Sequence, residues 1–140
     1  MRERGSAIVE FAIATTCSLT MLFAIIDLGR AVYTYHLVSN GARSGTRYAI
    51  VRGSTCTITG CTATPATVQT YVRGLAPGIN PTALTVDTTW ATNPGCSGSP
   101  FKGPGCLVTV TVRHNFTFLV PLLPSFTMPM ASTSQMVMSQ

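Results

Sequence analysis

Charge is scarce in this chain. Four of its 140 residues are acidic and nine are Lys or Arg, so only 9% carry a charge, against about 25% in an average soluble domain. Such a deficit fits a protein that is anchored, buried in an assembly, or both. Beyond Asp27 the one remaining acid is Asp87, which rules out paired-carboxylate acid–base chemistry there. A Ser–His–Asp set could be drawn from Asp87, His114 and any of several serines, but nothing like a nucleophile elbow surrounds them. With no second His near it in sequence, His114 reads as a core-edge histidine. The glycines stand in turn contexts with Pro and Ser rather than in a phosphate-cradling run. The expectation is a non-enzyme without a cofactor or metal. The net charge of +5 persists beyond Ile26, but its carriers Arg30, Arg43, Arg47, Arg52, Arg73, Lys102 and Arg113 are dispersed. Dispersed cations argue against a nucleic-acid partner.

What the chain does have is a long apolar run near its start. A short basic leader ends at Gly5, and 21 mostly apolar residues follow, Ser6 to Ile26. A helix of about 20 such residues crosses a hydrocarbon core of about 30 Å. One charge, Glu10, interrupts the run. A carboxylate in a span is costly to leave unpaired and is a functional candidate by default, although at five residues' depth it can also snorkel to the headgroups. Arg2 and Arg4 precede the span and place the N-terminus in the cytoplasm by the positive-inside rule, while Arg30 on the far side argues slightly the other way. Asp27 and Arg30 read as a local ion pair at the outer membrane edge. No small-x-small cut site precedes polar sequence near Cys17-Ser18 or Ala24, so a cleaved secretory signal is a poor fit.

Proline is absent from Asp27 to Arg52, so the helix is expected to continue past the span. Ala31, Tyr35, Val38, Ala42, Gly45 and Ala49 recur at helical spacing on an apolar face, with His36, Asn40, Arg43 and Arg47 on a polar one. A gentle kink is expected at Ser39-Asn40-Gly41, since Gly costs about 1 kcal/mol relative to Ala in a helix. Tyr33, Tyr35 and Tyr48 read as interfacial anchors or core residues before a contact surface. Further on, Ala66–Ala76 has the pattern of a short amphipathic helix whose face is Val68, Val72, Leu75 and Ala76. Ala83–Trp90 and Leu107–Phe118 alternate like half-buried strands, Pro121 to Pro129 breaks the chain, and Met130–Met138 fits a last strand. The fold class is α+β: a long transmembrane helix continuing as an amphipathic helix, packed on a small antiparallel sheet of about three strands with one short extra helix.

Four of the five cysteines lie beyond the span, as Cys56, Cys61, Cys96 and Cys106. Outside a membrane an even set reads as disulfides, and proximity favours Cys56–Cys61 and Cys96–Cys106 among three connectivities. Zinc is the lesser alternative, since neither C-x4-C nor C-x9-C is a tight chelating pair. Cys17, mid-span, reads as an inert packing residue.

Gly5, then Ser6-Ala7-Ile8-Val9, then Glu10-Phe11 resembles the prepilin processing region of the Tad/Flp branch of type IV pilins. GSAIVEFAIA, LFAIIDLGRAVYTY and ARSGTRYAIVRG resemble successive blocks of the TadE-like pseudopilins, and VTVTVRHNFTFLVPLLPSF followed by a Met-rich strand fits the end of that family. The likeness is strong over residues 5–52 and loose beyond. The first half of the span lacks the proline that family members often carry. The resemblance implies a pilin-like domain architecture: leader 1–5, transmembrane and assembly helix 6–26, and a periplasmic globular domain 27–140. It also implies cleavage between Gly5 and Ser6 by a prepilin peptidase, with Gly5 disfavouring helix at the scissile bond. Glu10 would then pair with the new Ser6 amine, its own or a neighbouring subunit's. Other implied partners are pilin or pseudopilin subunits and the inner-membrane Tad assembly platform. The implied location is the bacterial inner membrane, single-pass, or a fibre outside the cell. The alternative function is a membrane-anchored periplasmic scaffold or adhesion module that never enters a fibre.

Overall fold

A computed structural model describes residues 3–96, 101–119 and 126–139, with side chains from Gly5 onward. Arg2, in the expected leader, and the prolines at 121 and 124 lie outside the described residues. The elements are α1 (Glu3–Ile50), α2 (Pro65–Gly74), a 3-10 turn (Pro81–Ala83), β1 (Leu84–Ala91), β2 (Leu107–Thr117) and β3 (Thr127–Val137). The sheet order is β1-β2-β3. The architecture is the expected α+β arrangement of a long helix, a short helix and three antiparallel strands.

α1 is one unbroken helix through Ser39-Asn40-Gly41. The expected weak spot is a packing site instead. A Cβ on Gly45 would stand 2.8 Å from Val72 Cγ2 and 3.2 Å from Val110 Cγ1, and one on Gly41 would stand 3.2 Å from Val72 Cγ1. Bare backbone at these two positions lets α2 and β2 close onto α1, which offsets the helix-propensity cost.

The chain forms two compact units. The first comprises residues 1–34 and 116–128; the second comprises 35–115 and 129–140. In the second unit, Val38, Ala42 and Ala49 of α1 join Val68 and Val72 of α2, Leu84 and Val86 of β1, Val108, Val110 and Val112 of β2, and Met138 in a single buried cluster. The expected face of α1 is buried at Val38, Ala42, Gly45 and Ala49 and half-buried at Ala31, with one departure and two additions. Tyr35 is exposed, and Thr34 and Thr46 are buried. The polar face is as expected, with His36, Asn40, Arg43 and Arg47 all in solvent.

α2 starts one residue earlier than expected because Thr64 caps it. The Thr64 hydroxyl accepts from Thr67 N at 3.2 Å, the Thr67 hydroxyl accepts from Thr64 N at 2.9 Å, and Pro65 fills the first turn. It ends before Leu75, which is thereby turned out and left 40% exposed, while Val68, Val72 and Ala76 are buried. β1 pairs antiparallel with β2 from Leu84↔His114 to Ala91↔Leu107, and its buried positions are the predicted Leu84, Val86 and Thr88. β3 begins at Thr127, three residues before the expected start, and runs through Pro129. An edge strand tolerates proline because its outer N–H positions have no ladder partner. The structure pairs Cys56 with Cys61 and Cys96 with Cys106. The loops they close are tied further by Lys102, whose Nζ donates to Ala63 O at 2.7 Å and lies 4.4 Å from the Trp90 ring centroid.

Candidate functional site

The residues that the sequence singles out at the N-terminus sit on a bare helix. Gly5, Ser6, Glu10 and Phe11 all belong to α1 and all are exposed. Ser6 and Glu10 are four residues apart, one turn, and share a face. Large apolar side chains surround them: Ile8 is 70% exposed, Phe11 73% and Ile13 61%. Two hydroxyls farther along bond back to the helix, Thr16 Oγ1 donating to Ala12 O and Thr20 Oγ1 to Thr16 O, each at 2.8 Å. Hydroxyls satisfied within the helix and apolar side chains outside are what a lipid environment selects. The helix is long and apolar enough to cross a membrane, with a mean hydropathy of 1.9 in its most apolar window and none of that window buried.

One expectation about this site needs correcting. The backbone at Gly5 is helical, not extended, since α1 begins at Glu3. The flanking residues outweigh a single Gly near the helix end. The first four N–H groups of any helix have no acceptor within it, so opening the first turn breaks few hydrogen bonds.

Asp27 and Arg30 form the ion pair the sequence suggests, Arg30 Nη1 to Asp27 Oδ1 at 2.6 Å. Its setting differs from a solvated membrane-edge pair: Asp27 is only 2% exposed. The second oxygen, Oδ2, accepts from the backbone N–H of Leu119 at 2.7 Å. Arg30 in turn lies 5.3 Å from the ring centroid of Phe116, and Thr34 Oγ1 donates to Arg30 O. Asp27 is therefore the point at which the end of β2 is held to α1. Sequence reasoning missed Phe116 and Leu119 because they lie some 90 residues downstream, and helical spacing says nothing about such partners.

The three tyrosines part company. Tyr33 and Tyr35 are about half exposed. Tyr48 stacks on Tyr71 with centroids 4.4 Å apart, and Arg52 lies 3.9 Å from the Tyr48 ring centroid. Together with Ser44, Arg47 and Val51 they line an open cleft of about 450 Å³.

The triad that could be drawn from Asp87 and His114 is not assembled. His114 is opposite Leu84 and Asp87 opposite Thr111, which puts the two side chains on opposite faces of the sheet. Asp87 pairs instead with Arg113 at 3.1 Å, and His114 Nδ1 is 3.2 Å from Ala83 O. Cys56, Cys61, Cys96 and Cys106 are disulfide-bonded, so these four thiols are not a ligand set, and Cys17 is free and exposed.

No curated protein and no solved structure matches the chain. One family model, described as TadE-like protein, does match, over residues 5–47. The match covers the segment that carries Gly5, Glu10, the apolar run and the glycine-bearing packing face of α1.

Proposed function

We propose that the protein is a minor pilin or pseudopilin of a Tad/Flp-type pilus, cut between Gly5 and Ser6 by a prepilin peptidase and then assembled into, or used to prime, a fibre. The observation that carries this reading is the TadE-like match over residues 5–47, on a helix whose first 22 described side chains stand clear of the protein's own core. α1 is the assembly element. Its apolar surface packs against like helices in a bilayer or fibre, where close side-chain contact replaces lipid. Cleavage creates an α-amine at Ser6, one turn from Glu10. A carboxylate surrounded by Ile8, Phe11 and Ile13 gains most from an opposite charge when it is withdrawn from water. The amine of a neighbouring subunit supplies that charge and sets the axial register between helices. Residues 35–115 and 129–140, cross-linked by two disulfides, form the part on the periplasmic or outer side, where thiols oxidise.

The test is intact mass with N-terminal sequencing of the protein from native membranes, with and without the peptidase. A chain beginning at Ser6 only when the peptidase is present supports the proposal. An uncut leader in both samples refutes it and leaves a membrane-anchored scaffold or adhesion module. In cut protein, Glu10→Gln is expected to abolish recovery in sheared fibres while leaving the membrane-bound amount unchanged.

A further inference from the structure

The described ends of the β2–β3 connection, in the same unit as the apolar helix, expose large apolar side chains at Leu119, Phe126 and Met128. We propose that these two ends form a second membrane-contacting element: Leu119 and Phe126, flanked by Phe118 and Met128, insert at the boundary between hydrocarbon and headgroups of the leaflet in which the span ends. The proposal rests on the reading of residues 6–26 as a membrane span.

Position carries it. Twenty-one helical residues from Ser6 to Ile26 rise about 31 Å, one hydrocarbon thickness. Asp27, the next residue, therefore stands at the far hydrocarbon edge. There Oδ2 of its buried carboxylate holds Leu119 N at 2.7 Å, so Leu119 is kept at that level. Arg30, about 6 Å beyond Ile26 along the helix, lies in the headgroup layer and covers the Phe116 ring. Tyr33 follows about 10 Å beyond Ile26, where amphipathic aromatic rings favour the interface.

The side chains agree with that depth. Leu119 is 64% exposed and Phe126 60%, although both are held: Leu119 by its N–H to Asp27, and Phe126 by its carbonyl, which accepts from Phe118 N at 3.5 Å, and by its ring, 5.8 Å from that of Phe118. On α1 at the same level, Ile25, Ile26 and Leu28 are exposed as well. Apolar surface on both elements is what a continuous lipid solvent covers, whereas a second copy would cover one face. The sequence carries no charge from Asn115 to the last residue, so these ends would enter lipid without burying an ion.

The full chain in vesicles of phosphatidylcholine with one-quarter phosphatidylglycerol tests this. In a Cys17→Ser background, single cysteines at Leu119, Phe126, Ile13 and Thr85 are labelled with an environment-sensitive dye. Nitroxides at shallow and deep acyl positions serve as quenchers, with iodide as the aqueous one. The expected result is loss of emission at 119 and 126 to the shallow nitroxide, at 13 to the deep one, and at 85 to iodide alone. Quenching at 13 with 119 and 126 open to iodide overturns the proposal and leaves the anchor. No lipid quenching at 13 overturns the anchor reading beneath it. Energy transfer between copies at 119 without lipid quenching makes a second copy the occupant and also overturns it. The unsubstituted chain offers an independent readout. With an acyl-chain diazirine lipid, the tryptic fragment starting at His114 is expected to carry adducts, and an unlabelled fragment refutes the proposal.

Discussion

Two stretches of one helix, residues 5–26 and 35–50, solve opposite problems with the same backbone. In the first, large side chains such as Ile8, Phe11, Ile13 and Met21 point outward and are mostly exposed. In the second, the buried positions are small: Val38, Gly41, Ala42, Gly45, Thr46 and Ala49. A surface meant for lipid or for a like helix gains from bulk, because area withdrawn from water sets the stabilisation. A helix closed upon by its own chain gains from smallness, because backbones can approach and Val72 and Val110 fill the space. Hydrophobicity alone does not separate the two halves; side-chain size at helical spacing does.

The sharpest break of this contrast uses one substitution at two glycines. Gly45→Leu drives side-chain atoms into Val72 and Val110 and is expected to lower stability by about 3 kcal/mol. A Cβ at Gly29 meets nothing within 4 Å, and Gly29→Leu is expected to raise stability by about 0.5–1 kcal/mol through helix propensity. Urea unfolding of the full chain in detergent, followed by near-ultraviolet circular dichroism, measures both. Equal effects at the two positions would mean that α1 does not have two packing regimes.

Cysteine offers the next contrast. Cys96 and Cys106 are ten residues apart in sequence and bonded, with Cys106 fully buried. The chain-entropy estimate for such a loop is about 2.7 kcal/mol, the loss expected for the double Cys96→Ser, Cys106→Ser variant. Cys17, free and exposed on the bare half, is expected to change stability by less than about 0.5 kcal/mol when replaced by Ser. The same unfolding curves decide it.

Asp27 marks the point where the two regimes meet. Asp27→Ala removes the acceptor for Leu119 N and the partner of Arg30. The expected loss is about 1–2 kcal/mol, mostly from the stranded N–H, because Arg30 keeps access to solvent. Asp27→Asn, which retains an acceptor oxygen, is expected to recover about half of it. Faster amide hydrogen exchange at Leu119 in the Ala variant locates the effect.

Helix periodicity, strand alternation and paired cysteines made most of the fold legible in the sequence. Each is a local signal: Val68 and Val72, the alternating valines of β2 and the C-x4-C spacing need no knowledge of distant partners. The errors have a common cause. Helical spacing puts Tyr35 on the apolar face, yet Tyr35 is exposed and Thr34 is buried beside it, its hydroxyl satisfied by Arg30 O. Gly41 looked like a weak point because propensity is a local quantity, whereas its value is a tertiary contact with Val72. The Asp27–Arg30 pair is local and was legible, whereas the second contact of Asp27, with Leu119 N, is far away along the chain and leaves no local signal. Of the candidate site, Gly5, Ser6, Glu10 and Phe11 are named by a linear pattern that needs no tertiary partner to be read, and their role stays with the proposed function.

The smallest contrast isolates a single hydroxyl. Thr16 and Thr46 make the same local bond, donating to the carbonyl four residues back at 2.8 Å. Such a bond competes with the helix's own ladder and contributes little by itself. Thr46 differs in being fully buried and in reaching Ser134 O of β3 at 3.3 Å, a contact between the helix and the edge strand. Thr46→Val keeps the shape and removes that tie together with the local bond to Ala42 O, so about 1 kcal/mol is expected to be lost. Thr16→Val is expected to cost nothing measurable, since the hydroxyl it deletes serves only its own helix. A double variant with Ser134 replaced by Pro would not be informative, because it changes the strand itself; the matched pair of valines is the clean comparison. If Thr46→Val proves as silent as Thr16→Val, β3 is held by the valine–methionine cluster and the ladder alone, and the polar contact to α1 adds no stability of its own.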